Sequence, residues 1–338
     1  MEKRQDGIQS IRGLCIIAVV LIHCKALNVL SINMESILYI FYRNAINFPV
    51  AVFLFLSGYF SKYNNHKNVC VGGTSWIAKR LKRLVIPYVL WSVFYTVLLD
   101  YIIGGRSFSI EAVIEKFLLG NAVNPFYYII ILICCTLLTP LLLFISRKRW
   151  RIYCLITVLS LIEIVSYIFQ YYGINLFGNI IKYSPVWVLF YFIGILYKTK
   201  RIEIKSRRVT LLFVAVCYFL EIIETIVLNM NVNTKIMAFS QLKISGILYS
   251  LSLIVFVFQN TDQHTCEVLK YLGDYSYGIF YLHMIFVFVF NKILEPINSF
   301  ILLQNMTEGS MVLVLSVLTI FVAQSLIRNK KMLNLIGF

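Results

Sequence analysis

The sequence predicts an all-α fold: a polytopic transmembrane bundle of about ten helices, with both termini in the cytoplasm. Three observations carry this expectation. Hydrophobic residues fill 60% of the 338 positions and charged residues only 14%, where average soluble domains carry about 25% charged residues. Ten segments approach the roughly 20 apolar residues that a spanning helix needs. Of the 31 Lys and Arg residues, 23 fall on the side of the N-terminus and 8 on the other, the asymmetry that marks cytoplasmic loops. A soluble enzyme, a disordered tail protein and a secreted disulfide scaffold are excluded. The net charge of +16 belongs to topology rather than to nucleic-acid binding, because basic nucleic-acid binders are not this apolar.

The expected spans run over 8–30, 44–62, 84–104, 126–146, 152–172, 180–197, 209–229, 238–258, 273–291 and 310–327. The first is too long for a cleavable signal, carries His23 in its middle and precedes no small-residue cleavage site. The second and sixth are the shortest. The third follows the basic run at 79–83, and the fifth follows Arg147, Lys148, Arg149 and Arg151. The seventh follows Lys198, Lys200, Arg201, Lys205, Arg207 and Arg208, and the tenth precedes Arg328, Lys330 and Lys331. Lys3, Arg4, Arg12, Lys62, Lys67 and Lys270 complete the cytoplasmic set. Lys25, Arg43, Arg106, Lys116, Lys182, Lys235, Lys243 and Lys292 make up the other side. No repeat or low-complexity tract interrupts the chain, so residues 1–338 read as one transmembrane domain without an appended soluble domain.

Eight cysteines suggest a disulfide framework at first sight. Cys15, Cys24, Cys134, Cys135, Cys154 and Cys217 lie in apolar runs, however, and no CxxC spacing occurs. They read as small apolar filling, and no metal is expected.

The first span holds Arg12 and His23 eleven steps apart. At about 100° per step these come within roughly 20° of three full turns, so both side chains share one helix face. His23 stands about 16 Å above Arg12. With Arg12 at the cytoplasmic boundary, His23 lies near the membrane midplane, where ionisable groups face a bundle interior or a wet cavity. It is either hydrogen-bonded between helices or a base that takes a hydroxyl proton. Cys24 points about 100° away from it.

Three further stretches stand out. Phe53-Leu54-Phe55-Leu56-Ser57-Gly58-Tyr59 lies in the second span, where a small-residue pair also permits close helix packing. Lys79-Arg80-Leu81-Lys82-Arg83 precedes Pro87-Tyr88, with Arg80 and Arg83 at i, i+3 on one face. Tyr275-Ser276-Tyr277-Gly278-Ile279-Phe280-Tyr281-Leu282-His283 opens the ninth span. Together with Arg12-Gly13 and His23, these resemble the acyltransferase 3 family of bacterial integral-membrane O-acyltransferases. Its first helix carries Arg or Lys, ten residues, then His; an Arg-x-x-Arg and a Tyr-Leu-x-His segment follow. The family commonly places Asp three residues before that Arg. Here the position is Gln9, and Asp6 is a partial substitute one turn lower.

The resemblance implies a ten-helix enzyme that moves an acyl group, usually acetyl, from cytoplasmic acetyl-CoA to a hydroxyl beyond the membrane. It implies an acceptor that is a surface glycan, an exopolysaccharide or a lipid-linked precursor. The location it implies is the plasma (inner) membrane, with lipids as surroundings and no nucleic acid as partner. Arg80 and Arg83, helped by Lys79 and Lys82, would dock the phosphates, for which the planar Arg fork is suited; loop topology accounts for these cations equally well. Arg12 would hold the pantetheine arm or a phosphate below His23. His23 would serve either as general base or as transient acyl carrier. Ser57 and Tyr59 belong to the aromatic-rich segment, with Ser57 either a packing residue or an acyl carrier. Glu163, Glu221 and Glu224 are intramembrane carboxylates and hence functional candidates. They would orient His23, bind sugar hydroxyls or pair with Arg12, or else be neutral and hydrogen-bonded. His283 reads as structural or as support for the catalytic group.

A membrane transporter or flippase for a lipid-linked glycan is the alternative from another class, although no internal symmetry supports it. A scaffold in a polysaccharide-synthesis complex would leave Arg12 and His23 without a purpose. No Walker-type loop, GxGxxG or HExxH occurs, which disfavours ATP-driven transport, dinucleotide chemistry and zinc proteolysis.

Overall fold

A computed structural model of the chain describes all residues except 1, 26–32, 62, 65–68, 71–72, 106–108, 175–183, 200, 202–205, 231–233, 260–265 and 294–299. The fold is an all-α bundle. In chain order come α1 (Glu2–His23), α2 (Met34–Ala45), α3 (Pro49–Tyr59), α4 (Gly73–Thr96), α5 (Ile110–Leu118), α6 (Tyr127–Ile145) and α7 (Arg149–Tyr171). These are followed by α8 (Val186–Lys198), α9 (Arg207–Met230), α10 (Ile244–Gln259), α11 (Glu267–Asp274), α12 (Ser276–Ile293), α13 (Ile301–Leu326) and α14 (Lys330–Ile336). Among the described residues, β structure is limited to Tyr63–Asn64 paired with Val69–Cys70.

Among the described residues, seven helical runs are long and apolar enough to cross a membrane: Asp6–His23, Met34–Tyr59, Ser75–Ile103, Asn124–Ile145, Arg149–Tyr171, Arg207–Met230 and Ile301–Leu326. Helices α11 and α12 make an eighth, bent by 80° between Asp274 and Ser276. The sixth and eighth expected spans appear as the shorter apolar helices α8, of 13 residues, and α10, of 16. The chain is thus a multi-pass membrane protein. Apolar side chains such as Leu161, Val165, Phe219, Ile223, Val314 and Phe321 remain exposed along α7, α9 and α13, as a lipid-facing surface requires.

Several boundaries differ from the expected ones, among them the start of α4 at Gly73 rather than 84. The first helix stops at His23 rather than running on to 30, and positions 26–30 lie outside the described residues. The second span begins ten residues earlier, at Met34, where Asn33 and Ser36 form a capping box. It breaks at Ile46–Phe48, because Pro49 has no N–H to continue a helix and opens α3 at its first turn. The last span begins at Ile301 rather than 310, since Asn305 and Glu308 interrupt the apolar run without interrupting the helix.

Two pairs of glycines set the closest crossings. A Cβ on Gly13 would lie 1.9 Å from the Leu269 carbonyl oxygen, and one on Gly273 would lie 2.0 Å from that of Gln9. Helices α1 and α11 are therefore in backbone contact. Gly58 and Gly194 do the same for α3 and α8, against Tyr191 O at 2.0 Å and Phe55 O at 2.1 Å. Small residues permit such approach wherever a side chain would hold helices apart. One apolar cluster then fills the space around α3, α6, α8 and α10, and a second fills that around α1, α4, α6, α12 and α13.

The charge assignment needs correction at two positions. Arg43 lies within α2, inside a spanning run. Lys243, which the sequence places among the far-side cations, is fully buried. It sits in the turn that enters α10, where Asn44, Thr225 and Glu221 surround it. Lys62, Lys67, Arg106, Lys182, Lys200 and Lys205 lie outside the described residues. The cysteines behave as apolar filling: Cys15, Cys24, Cys135 and Cys217 are free and buried, whereas Cys134 and Cys154 are free and exposed.

Candidate active site

The site is built on α1. Arg12 is half-buried, and its two terminal nitrogens donate to Gln9 Oε1 at 3.0 Å and Ser276 Oγ at 3.0 Å. Ser276 in turn donates to Gly273 O at 2.7 Å. Arg12 thus fastens α1 to the bend between α11 and α12. Gln9 itself takes the bond expected of an acid, so the amide suffices there. Asp6 is not the substitute, because it faces α11 and pairs with Lys270 at 3.0 Å.

His23 is the last residue of α1. A helix that ends inside a bundle leaves carbonyl groups without partners, and here α13 supplies them. Asn305 Nδ2 donates to Leu21 O at 3.0 Å and to Lys25 O at 2.7 Å. Glu308 Oε2 accepts from Lys25 N at 3.0 Å. Tyr42 on α2 donates to Asn305 Oδ1 at 2.6 Å and holds that amide in place. The height of His23 is therefore fixed from α2 and α13 as well as from its own helix.

The imidazole is oriented by its own backbone. His23 Nδ1 lies 2.7 Å from Val19 O. A carbonyl only accepts, so Nδ1 carries the hydrogen and the neutral ring keeps a lone pair on Nε2. His283, fully buried on α12, repeats the arrangement, with Nδ1 3.1 Å from Ile279 O. Its Nε2 has no hydrogen-bond partner among the described residues. The two rings stand edge to face, centroids 5.3 Å apart. The arrangement brings two imidazole rings into edge contact inside the bundle.

The four cations before the third span separate by depth. Lys79, Lys82 and Arg83 are exposed, while Arg80 is half-buried. Arg80 donates to Ser57 O at 3.1 Å and lies over the rings of Trp76 and Tyr191, at 5.2 and 5.9 Å. Arg80 and Arg83 therefore do not present one shared surface, although Arg83 stays tied to the site because Tyr277 donates to its carbonyl at 3.1 Å. Tyr128 on α6 hydrogen-bonds the Ser57 side chain and lies within electrostatic reach of both Arg80 and Arg12. Positive charge thus steps inward from Lys79, Lys82 and Arg83 through Arg80 to Arg12, below His23 on the same helix. Ser57 sits within this series; Tyr59 does not. Tyr59 packs among Phe55, Tyr197 and Phe258, beneath the Lys198 ammonium at 5.0 Å.

The three carboxylates separate as well. Glu163 is buried and takes the Ser184 hydroxyl. Glu224 takes the Tyr167 hydroxyl at 2.5 Å, the Ser245 amide at 2.9 Å and the Ser245 hydroxyl. Glu221 is fully buried, accepts from Asn47 Nδ2 at 2.9 Å and lies 3.5 Å from Lys243 Nζ. None of the three is paired with Arg12, whose bonds go to Gln9 and Ser276. Among the described residues no three His, Cys, Asp or Glu side chains gather as a metal-binding group.

Sequence reasoning passed over four residues of this region: Arg43, Lys243, Asn305 and Glu308. Asn305 and Glu308 fall just before the expected start of the tenth span, and Arg43 just before that of the second. Extending each span across its polar positions would have put all three inside the membrane, where a charge is a functional candidate by default.

A family model described as an acyltransferase domain matches residues 5–328, nearly the whole chain. No curated protein and no solved structure matches it.

Proposed function

The chain belongs to this acyltransferase family, and on that premise we propose that it is an O-acyltransferase of the plasma membrane. Its donor is a cytoplasmic acyl-CoA, foremost acetyl-CoA. Its acceptor is a hydroxyl of a surface glycan, an exopolysaccharide or a lipid-linked precursor. The single observation that carries this reading is the His23 imidazole, pinned through Nδ1 with its Nε2 lone pair left over, at the inner end of a series of cations.

Each part of the reaction has a group suited to it. Lys79, Lys82 and Arg83 meet the phosphates of the donor at the surface, and Arg80 meets them deeper in, where a planar fork binds phosphate in two-point fashion. The pantetheine arm is long and mostly uncharged, so it threads past Arg12 toward His23. His23 Nε2 then takes the proton of the acceptor hydroxyl as that oxygen attacks the thioester carbon, or first carries the acyl group itself. Glu163, Glu221, Glu224 and His283 shape the surroundings of that step.

The test is acetyl-CoA binding and slow thioester hydrolysis by the purified protein in detergent, wild type beside His23→Ala. Binding by both, with turnover only in wild type, supports the reading. Turnover in His23→Ala overturns the site. Absence of binding by well-folded wild type overturns the donor and transfers the case to glycan flipping in vesicles.

A further inference from the structure

Two cations, Arg43 and Lys243, and two carboxylates, Glu221 and Glu224, stand in one polar cluster near His23. Arg43 Nη1 donates to Asn47 Oδ1 at 3.1 Å. Asn47 Nδ2 donates to Glu221 Oε1 at 2.9 Å, and Lys243 Nζ lies 3.5 Å from that same oxygen. Lys243 also donates to Asn44 Oδ1 at 2.7 Å, Ala238 O at 2.9 Å and the Thr225 hydroxyl. Lys243 and Glu221, both fully buried, compensate each other at close range. Arg43 makes no close ion pair among the described residues. Its hydrogen bond goes to a neutral amide, and its guanidinium lies 6.0 Å from the centroid of the Phe239 ring. A cation without a close ion pair inside a membrane bundle is expensive to keep.

Its place explains what it meets. The neighbouring Tyr42 is bonded to Asn305, and Asn305 is bonded to the carbonyls of Leu21 and Lys25, on either side of His23. Arg43 therefore stands at the level of His23, and the two side chains lie within electrostatic reach of each other. Asn47 occupies one N–H of the guanidinium and fixes its plane, leaving further donors on the same fork. Acyl transfer generates negative charge at one atom above all, the carbonyl oxygen of the thioester. Oriented donors already in place are the most effective means of stabilising such charge.

We propose that the Arg43 guanidinium holds the thioester carbonyl oxygen while negative charge develops on it. This rests on the acyl-transfer reading above. The attacking oxygen bonds to the carbonyl carbon, its proton passes to His23 Nε2, and the carbonyl π electrons move to the oxygen facing Arg43. Collapse restores the carbonyl, breaks the carbon–sulfur bond and releases the CoA thiolate, which takes the proton back from His23. Arg43 keeps all its protons throughout.

Hydrolysis of acetyl-CoA by the full-length protein in detergent tests this, because water then replaces the glycan and acceptor binding plays no part. Arg43→Gln is expected to lower kcat by about 10²–10³-fold, the usual loss for one such donor, with the KM for acetyl-CoA within about twofold of wild type. Arg43→Lys keeps a point charge without the fork and is expected to lose about tenfold. Wild-type kcat in Arg43→Gln overturns the proposal and leaves the His23 reading standing. A rise in KM at unchanged kcat also overturns it, making Arg43 a donor-binding group. Should Arg43→Gln fail to insert, Arg43→Lys decides alone: a tenfold fall in kcat supports the proposal and wild-type kcat overturns it. Absence of hydrolysis by wild type removes the acyl-transfer reading, and this inference with it.

Discussion

His23 and His283 meet edge to face with ring centroids 5.3 Å apart, each tied through Nδ1 to the carbonyl four residues earlier in its own helix. Two helices far apart in sequence thus present one composite imidazole surface. His283 is expected to steady the ring of His23 rather than to touch the reacting atoms. His283→Gln should lower kcat for acetyl-CoA turnover about tenfold with KM unchanged, since a small misplacement of a catalytic group is costly. Steady-state kinetics of the variant decide the matter, and unchanged kcat removes the role.

The backbone contact between α1 and α11 admits no Cβ. Gly13→Ala and Gly273→Ala should each destabilise the protein by about 1–3 kcal/mol, the range for overpacking a tight contact. Thermal unfolding in detergent measures it. A midpoint equal to wild type in either variant would show that the helices separate without strain.

The buried Lys243–Glu221 pair should behave as a unit. Lys243→Met leaves an unpaired carboxylate and should cost about 3–5 kcal/mol, whereas Lys243→Met combined with Glu221→Leu should recover much of that loss. A double-mutant cycle on thermal stability reads the coupling directly. Additive losses would mean that the two charges do not compensate each other.

Arg80 and Arg83 differ in depth and should differ in effect. Both Arg80→Ala and Arg83→Ala are expected to weaken CoA binding, more at low salt than at high. The loss should be less sensitive to salt for Arg80, because partly buried charges are screened less. Titration of CoA binding at two ionic strengths tests this. CoA affinity equal to wild type in both variants would return the two residues to loop topology alone.

The fold class was legible because it rests on composition and run length, which survive any error in a boundary. The Arg12–His23 face was legible because a regular helix relates positions by angle alone. What stayed hidden depends on interruption. The second span is broken before Pro49, and its first part, 34–43, reads as loop from sequence, so Arg43 is not placed inside the bundle there. Asn305 and Glu308 continue a helix whose apolar signal has already faded. Lys243 counted as a surface charge because nothing local shows that Asn44 and Thr225, distant in sequence, close around it. Asp6 illustrates the opposite error: spacing placed it one turn below Gln9, but helix α11 drew it toward Lys270.

The partners that hold the end of α1 come from almost the other end of the polypeptide. Asn305 lies 280 positions beyond Lys25, whose carbonyl it holds. During synthesis, α1 enters the membrane long before α13 exists. Until α13 arrives, the Leu21 and Lys25 carbonyls lack the side chain that satisfies them, and His23 is held by its own helix alone. Insertion of the last long helix therefore completes the surroundings of His23.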